Sequence, residues 1–422
     1  MATPLTATAA DSVAAPAARD SEAASSSTLP MDAVRQVIDA CAQNDLACIE
    51  KFLQQDALFA CQQDLETGLS PLMAASQAGH LNLVQQLLEH GAPWNAIDRQ
   101  GKCAGNYATD NQHWNVVNLL VDWGTRAELI LGELQRSQQR INGKAAVDLT
   151  QDSSTKPDYL QQSLHYNADG TALLDADEDA VMMEWERPIM RAHAQVLLGD
   201  IVPPRPRRVL NVGFGMGIID TILQSDFQPT QHYIIEAHPD VYQKMIQDGW
   251  DEKQGVTICH GKWQNVLPQL AASKVEFDGI FFDTYAEHAM DMEDFHRQMT
   301  DILVKPGGIY SFFNGLAPDN LFFHGVACNV IKLQLDKLGF DTEFLTCQIQ
   351  VQNINNDKVW QGIRRKYWHN RDVYYLPRVT WNQEFLGRKT KVMQGSSDQD
   401  DETMDMEGSE DHSPLKRQRR IE

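Results

Sequence analysis

The stretch FDGIFFDTYAEH, residues 277–288, carries an apolar run directly into a carboxylate, Asp283. Strands of parallel sheets often end on a polar residue where the loop begins, so an ordinary loop acid is one interpretation. The carboxyl ends of such strands are also where ligands bind in open α/β sheets. Asp283 is therefore a candidate for chemistry if the rest of the chain builds such a sheet.

A glycine-rich turn is the second candidate. Residues 209–212 have the composition of a strand and run into GFGMG, residues 213–217, before a helix-like stretch begins at Ile218. Glycine lets the backbone approach a ligand closely at a helix N-terminus. Dinucleotide-binding enzymes prefer G-x-G-x-x-G, whereas the G-x-G-x-G spacing here is typical of S-adenosylmethionine-dependent methyltransferases.

An acid follows at the separation expected for a nucleotide-like ligand. Glu236 ends the next predicted strand, roughly 20 residues after Gly213, and an acid there can accept both hydroxyls of a ribose. A loop acid after a strand is the alternative. After the third predicted strand, Trp263 and Gln264 could flank an adenine and bond to its edge, although a tryptophan packed under a loop is an equally simple interpretation.

These candidates need a sheet that brings the strand ends to one edge. Five apolar runs alternate with helical-period segments, and they end at Val212, Glu236, Cys259, Asp283 and Asn314. This alternation predicts a mainly parallel, doubly wound, Rossmann-like α/β sheet covered on both faces. Residues 341–351 and 372–376 are expected to add strands at its edge.

Upstream of these runs the chain repeats itself. Residues 68–91, GLSPLMAASQAGHLNLVQQLLEHG, align with residues 101–124, GKCAGNYATDNQHWNVVNLLVDWG. The period and the G-x-S-P-L-x-x-A opening resemble ankyrin repeats, whose helix pairs bury their apolar faces only against neighbouring repeats. Residues 31–60 are interpreted as a degenerate capping repeat. We expect a small all-α stack that binds protein.

Composition narrows the class of partner. The formal net charge of -22 argues against general binding to nucleic acid, which needs a basic surface, and would suit a basic protein. No apolar window is long enough for a membrane span, and seven cysteines without C-x-x-C spacing argue against a disulfide framework or a zinc site. We expect a monomer in the cytoplasm and, because residues 414–420 resemble an import signal, in the nucleus.

Residues 160–385 resemble one group of methyltransferases. The group comprises guanidinoacetate N-methyltransferase and the ankyrin-bearing protein arginine delta-N-methyltransferases. The resemblance is carried by EWERPIM (184–190), VLNVGFGMGI (209–218), HYIIEAHPDVYQKM (232–245), FDGIFFDTYAEH (277–288), LVKPGG (303–308) and DVYYLPRVTW (372–381). Two residues depart from it: Asn211 stands where many methyltransferases carry an acid, and Ala286 where the small-molecule enzyme's D-T-Y-P has proline.

The resemblance implies S-adenosyl-L-methionine as cofactor, no metal, and a role for each site residue. Glu186 and Asp283 would face the substrate guanidino group as catalytic acids. Met190 and Tyr166 would close over the methionine part of the cofactor. The other implied cofactor contacts are Gly213, Phe214, Gly215, Met216, Gly217, Ile218, Glu236, Ala237, His238, Trp263 and Gln264, with Asp283 again among them.

Two acids suit methyl transfer to a guanidino group. A guanidinium has a pKa of about 13.8, so removing a proton before reaction would cost about 9 kcal/mol at pH 7. A carboxylate that holds two N–H groups in a fork orients the nitrogen, offsets its charge and takes its proton as the methyl transfers. Alignment with the sulfonium supplies much of the remaining acceleration, so neither a metal nor a covalent nucleophile is expected.

The same resemblance predicts the product and leaves two alternatives. With the terminal nitrogens held by the two acids, the internal (delta) nitrogen of an arginine would be methylated once, in a protein substrate that the family suggests is ribosomal. A small guanidino acceptor is the first alternative. An ankyrin scaffold with an inactive methyltransferase domain is the second, although the glycines and acids of an active site are all present.

Two other stretches could have carried a different function. Residues 287–296 gather acids and histidines but lack metal-site spacing, and they are interpreted as the solvated face of a helix. Residues 362–372 are basic and aromatic, and a hairpin loop with structural side chains is favoured over a nucleic-acid platform. The predicted organisation is a disordered tail (1–29), ankyrin repeats (30–130), a linker (131–160), the methyltransferase domain (161–390) and a disordered acidic and basic tail (391–422).

Overall fold

The computed structural model describes residues 30–141, 156, 158–201, 205–285, 289–348, 358–368 and 373–388. The predicted tails, residues 1–29 and 391–422, lie outside these ranges. The chain divides into two compact units, Met1–Leu120 and Val121–Glu422. None of the described helices is long and apolar enough to span a membrane.

Short antiparallel helices build the N-terminal unit. They are α1 (Met31–Gln43), α2 (Leu46–Gln55), α3 (Pro71–Ala78), α4 (Leu81–Glu89), α5 (Ala104–Asp110) and the start of α6 (Trp114–Ile141). Helix α3 packs between α1 and α5, and the repeated apolar positions Ala75, Val84 and Leu87 are buried. The predicted stack is confirmed, and the linker predicted from residue 131 begins later because α6 continues to Ile141.

One turn aspartate holds the repeat loop together. The buried Asp98 carboxylate accepts the backbone N–H groups of Gln100 and Lys102, each at 2.8 Å, and the Tyr107 hydroxyl at 2.6 Å. Burial opposes its ionisation, but these hydrogen bonds and the nearby Lys102 ammonium lower the pKa of Asp98 overall. The ionised carboxylate is thus the partner that these donors need.

The C-terminal unit begins with a small antiparallel sheet and continues as a seven-stranded one. The small sheet contains β1 (His165–Tyr166), β2 (Ala172–Leu174) and β3 (Ala180–Met183). The strands of the large sheet are β4 (Arg208–Val212), β5 (Gln231–Glu236), β6 (Val256–His260), β7 (Gly279–Phe282), β8 (Ile309–Phe312), β9 (Phe340–Gln348) and β10 (Val373–Trp381).

Strand order gives the sheet its switch point. The order is β6-β5-β4-β7-β8-β10-β9, and only β10 runs antiparallel to its neighbours β8 and β9. The strand order reverses between the parallel neighbours β4 and β7, and open α/β sheets bind ligands at such a switch point. The doubly wound fold is confirmed, and the two late strands lie where the edge was expected, with β10 between β8 and β9.

Helices cover both faces of this sheet. They are α7 (Arg187–Leu198), α8 (Ile218–Ile222), α9 (Pro239–Gln247), α10 (Trp263–Ala272), α11 (Ala289–Met299) and α12 (Leu321–Lys337). Ile280 and Phe282 of β7 pack in one core cluster, whereas Phe281 packs in the other with Met190 of α7. The continuous apolar run before Asp283 is therefore the mark of a strand buried on both sides.

We expect Asp98→Asn to destabilise the ankyrin unit by about 1–3 kcal/mol, because the amide cannot accept from all three donors. The matched control is Asp110→Asn, whose exposed carboxylate pairs with Lys102 at 2.8 Å and should be worth less than about 1 kcal/mol. Urea unfolding of the full chain measures both changes. Equal effects of the two substitutions would contradict the role of Asp98.

Candidate active site

The glycine turn, residues 213–217, and the loop that carries Asp283 meet at the switch point of the sheet. Strand β4 pairs with β7 so that Val212 lies opposite Phe282, and the N–H of Asp283 donates to the Val212 carbonyl at 2.9 Å. Gly213 has φ of 94°, and a Cβ on it would lie 1.9 Å from the carbonyl oxygen of Asp283. Only glycine allows these two loops to run side by side.

Glu236 ties the end of β5 to the glycine turn. Its buried carboxylate accepts the backbone N–H of Phe214 at 2.9 Å and that of His238 at 2.6 Å. Burial raises the pKa of Glu236, and these backbone hydrogen bonds oppose the rise. The N–H of Gly215 also bonds this carboxylate, and since a carboxylate offers about four acceptor positions, the acid can still accept a hydroxyl group of a ligand.

Glu186 and Asp283 are both enclosed acids, and the charge of Asp283 acts on Glu186. Glu186 is buried in the turn before α7, which begins there because Pro188 suits the first helical turn. Burial, and then the charge of Asp283, raise the pKa of Glu186 to about 8. Burial, and then the charge of Asp220, raise the pKa of Asp283 to about 7. Such a pair attracts a cation, because a cation offsets both charges.

Comparison with known proteins assigns the chain to a family. The sequence model of guanidinoacetate N-methyltransferase matches residues 148–348, and that of ankyrin repeats (three copies) matches residues 37–129. A protein of Aspergillus oryzae named protein arginine N-methyltransferase 2 is 32% identical over 406 residues, covering 82% of this chain and 95% of that protein. The chain belongs to the protein arginine N-methyltransferase 2 family.

Two further members of the family match smaller shares of both chains. The Yarrowia lipolytica protein is 40% identical over 275 residues, which cover 63% of this chain and 56% of that protein. The Saccharomyces cerevisiae protein is 33% identical over 328 residues, which cover 71% and 78%. Both are also named protein arginine N-methyltransferase 2, so the relatives agree on the class of enzyme.

S-adenosylmethionine, expected from the sequence, fits the site on three observations. The turn at residues 213–217 holds its three glycines at positive φ, a conformation that glycine adopts without strain and that suits close approach of backbone to a ligand. Glu236 has acceptor capacity left for a ribose hydroxyl. The Oδ2 atom of Asp283 is enclosed and, within the described residues, has no hydrogen-bond partner, which is the state expected of an acid whose partner is a ligand.

Several predicted cofactor contacts serve the protein itself. Trp263 is buried in the core, with its ring 6.1 Å from Phe282 and 5.4 Å from Phe295, and its contact with an adenine stays a prediction. The imidazole of His238 accepts the N–H of Asp240 at 3.2 Å, and its other nitrogen lies 3.1 Å from the Tyr159 carbonyl. The backbone N–H of His238 is the one that donates to Glu236.

The remaining predicted contacts lie around the glycine turn. Met190 and Ile218 are buried in one apolar cluster with Met182, whose sulfur accepts the N–H of Met216 at 3.3 Å. Tyr166 packs in a second cluster. Ala237 joins Glu236 to His238, and Gln264 is half-buried at the start of α10. The structure therefore collects the predicted residues at one edge of the sheet, at different depths.

Asn211 stands where many methyltransferases carry an acid, and its side chain holds an acid from another element, Asp220, in place. Its side-chain nitrogen donates to the Gly213 carbonyl at 2.9 Å and to Asp220 at 2.8 Å. Asp220 is fully buried and lies 2.9 Å from the ring nitrogen of His232. The acid that raises the pKa of Asp283 is thus supplied from α8, which sequence spacing alone did not indicate.

Tyr367 is the site residue that the sequence analysis missed. Its hydroxyl donates to Oε1 of Glu186, although the stretch around it was interpreted as structural. It lies beyond the 148–348 range matched by the guanidinoacetate family model and in none of the motifs that carry the resemblance. The only signal was the aromatic composition of residues 360–368.

Two polar clusters outside the acid pair are explained by contacts within the protein. Among the described residues, the acids Asp175, Asp177 and Asp179 lie close enough to hold a metal, but the Lys156 ammonium binds all three. His296, expected on a solvated helix face, is fully buried and lies 3.0 Å from the Tyr310 hydroxyl, so that interpretation is wrong for this residue.

We expect Glu186→Gln to stabilise the protein at pH 8 and leave its stability unchanged at pH 5. The folded pKa of about 8 exceeds the ordinary value of 4.5, so ionising Glu186 costs stability as pH rises from 4.5 through 8. The glutamine oxygen can still accept the Tyr367 hydroxyl. Thermal unfolding should show a gain of several degrees at pH 8.

The control for this change is Glu184→Gln, two residues earlier. Glu184 is partly exposed and pairs with Arg187, so its loss should give no gain at pH 8. A Glu186→Gln protein that unfolds at a lower temperature than the wild type at pH 8 would contradict the assignment of an uncompensated buried acid.

Proposed function

We propose that this chain transfers a methyl group from S-adenosylmethionine to the internal (delta) nitrogen of an arginine in a protein substrate. The observation that carries the proposal is the acid pair, Glu186 and Asp283, beside the glycine turn in a chain of the protein arginine N-methyltransferase 2 family. An active enzyme is favoured over a scaffold because these acids destabilise the empty fold and would be lost without a use.

The acid pair binds the guanidinium by charge and by geometry. Two carboxylates in a poorly hydrated site offset the cation and accept its terminal N–H groups in forked hydrogen bonds. Binding the cation lowers both raised pKa values, so the acids ionise as the substrate enters and protons are released. The ligand restores the charge balance that the empty site lacks.

The chain's own residues then handle the proton. Bound S-adenosylmethionine supplies an electrophilic methyl group on its sulfonium. As the bond between methyl carbon and delta nitrogen forms, the electron pair of the broken sulfur–carbon bond stays on sulfur. The proton of that nitrogen passes to the ionised carboxylate of Asp283, because methyl transfer leaves the nitrogen cationic and strongly acidic until the proton departs.

Charge also points to the protein that carries the arginine. The chain has 58 acidic against 36 basic residues, and opposite charge steers a basic partner to it. Ribosomal proteins are the basic class that we propose to test first. Ankyrin stacks present binding surfaces along their repeats, so we assign the choice of protein to the N-terminal unit.

A small guanidino compound is the second candidate acceptor. The observation in its favour is the match of residues 148–348 to the guanidinoacetate N-methyltransferase family. The two acceptors present the same guanidino group to Glu186 and Asp283, so the acid pair does not distinguish them. A direct comparison of acceptors is therefore part of the test.

Methylation of a ribosomal-protein fraction should yield delta-N-monomethylarginine as the single methylated arginine. The two acids hold the terminal nitrogens, and a methylated delta nitrogen has no hydrogen left to lose. The purified chain is incubated with labelled S-adenosylmethionine and either this fraction or guanidinoacetate, and hydrolysed product is fragmented in a mass spectrometer. A terminal monomethyl or a dimethyl main product would contradict the proposal, and label only in guanidinoacetate would favour the second candidate.

Asp283→Asn should reduce turnover at least about 100-fold, because the amide retains the shape but loses the charge and basicity of the acid. Affinity for S-adenosylmethionine, measured by calorimetry, should fall far less. The control is Asp301→Asn, an exposed acid in the loop after α11, which should keep wild-type turnover. Near-normal turnover of Asp283→Asn would remove Asp283 from the mechanism.

A further inference from the structure

A tryptophan-rich segment covers Glu186. Trp360 and Trp368 are buried, and their rings lie 6.1 Å and 6.0 Å from that of Trp185, the neighbour of Glu186 in sequence. Tyr367 lies between them, with its ring 5.2 Å from that of Trp360. We call residues 358–368 the aromatic segment. Its apolar packing fixes the ring of Tyr367, and only the hydroxyl reaches the acid.

An acidic turn anchors the aromatic segment on its other side. The N–H of Arg364 donates to the Glu178 carbonyl at 2.8 Å, and its guanidinium donates to Asp179 at 3.0 Å. In the same turn, Asp175 accepts the hydroxyl of Tyr285 at 3.1 Å. Since Tyr285 follows Asp283 in the β7 loop, one turn connects the supports of both acids.

The charged and titratable groups around Glu186 act in opposite directions. Asp283, from the loop after β7, opposes its ionisation, whereas the Tyr367 hydroxyl and a backbone hydrogen bond from Met183 favour it. Tyr374 of β10 also faces the pair, but its hydroxyl accepts the N–H of Asn314 at 2.6 Å. Among these groups, Tyr367 is the side chain that favours the charged acid.

We propose that Tyr367 is a positioning residue of the acceptor site, whose hydroxyl bonds one oxygen of Glu186 and keeps the carboxyl group turned toward the guanidino group. The inference rests on the proposed function, because it specifies how the acceptor site orients Glu186 before the substrate binds. One carboxylate oxygen of Glu186 carries the Tyr367 hydrogen bond, and the remaining acceptor positions are left for the N–H groups of the substrate. The aromatic segment therefore orients Glu186 for the acceptor.

Tyr367→Phe removes the hydroxyl and retains the ring that packs against Trp360. A hydrogen bond to a charged group favours its ionised form by about one pKa unit or more. The acidic limb of kcat/KM should therefore move upward by about one pH unit. At pH 7, kcat/KM should fall about tenfold, and at pH 9 it should approach the wild-type value.

A binding measurement gives the same information without turnover. The dissociation constant of an arginine peptide is measured by calorimetry in the presence of S-adenosylhomocysteine, which has no methyl group to transfer. We expect about tenfold weaker binding by Tyr367→Phe at pH 7, near-equal binding at pH 9, and unchanged affinity for S-adenosylhomocysteine. The control is Tyr242→Phe, whose ring stacks on His260 at 4.0 Å outside the site and which should match the wild type throughout.

The outcomes separate this inference from the proposed function. A wild-type chain that methylates arginine, together with an unchanged acidic limb and unchanged peptide binding in Tyr367→Phe, would overturn the inference alone. A loss of kcat/KM that is equal at pH 7 and pH 9 would also overturn it, because it would indicate a merely structural role. A wild-type chain that methylates no guanidino group would overturn both.

Discussion

The pairing of β4 with β7 is the constraint on which the site depends. It places the glycine turn directly against the loop that carries Asp283, close enough that any side chain on Gly213 would collide with the Asp283 backbone. Glu236 then fastens the end of β5 to the same turn through the N–H of Phe214. These contacts hold three strand ends at one edge of the sheet. We call this arrangement the frame, and the functional side chains project from it.

The electrostatics of the site follow from what that frame encloses. Glu186 and Asp283 are both acids, and both are held where water cannot stabilise their charges. In the empty protein this arrangement costs stability, as uncompensated buried charges do. In the function that we propose, a guanidinium reverses the balance, since it supplies the charge and the donors that the acids lack. The interactions that weaken the fold would then select the ligand.

The two units use ionised acids in opposite ways. In the ankyrin unit, Asp98 is surrounded by donors that lower its pKa, and the carboxylate contributes to the turn. In the catalytic unit, Asp283 has an enclosed oxygen without a partner among the described residues. Buried polar groups in folded proteins nearly always have partners. The satisfied acid therefore serves the fold, and the unsatisfied one is the acid to which we assign a ligand in the proposed function.

The sequence by itself determined the fold class, the ends of the strands and the position of the glycine turn. Apolar periodicity and glycines that must take positive φ are local properties, so the sequence alone placed Asp283 and Glu236 at strand ends. Only the tertiary structure decided that Trp263 packs in the core, that Asp220 acts on Asp283, and that Tyr367 bonds Glu186. These facts depend on burial and on contacts between residues far apart in the chain, and no spacing in the sequence encodes either.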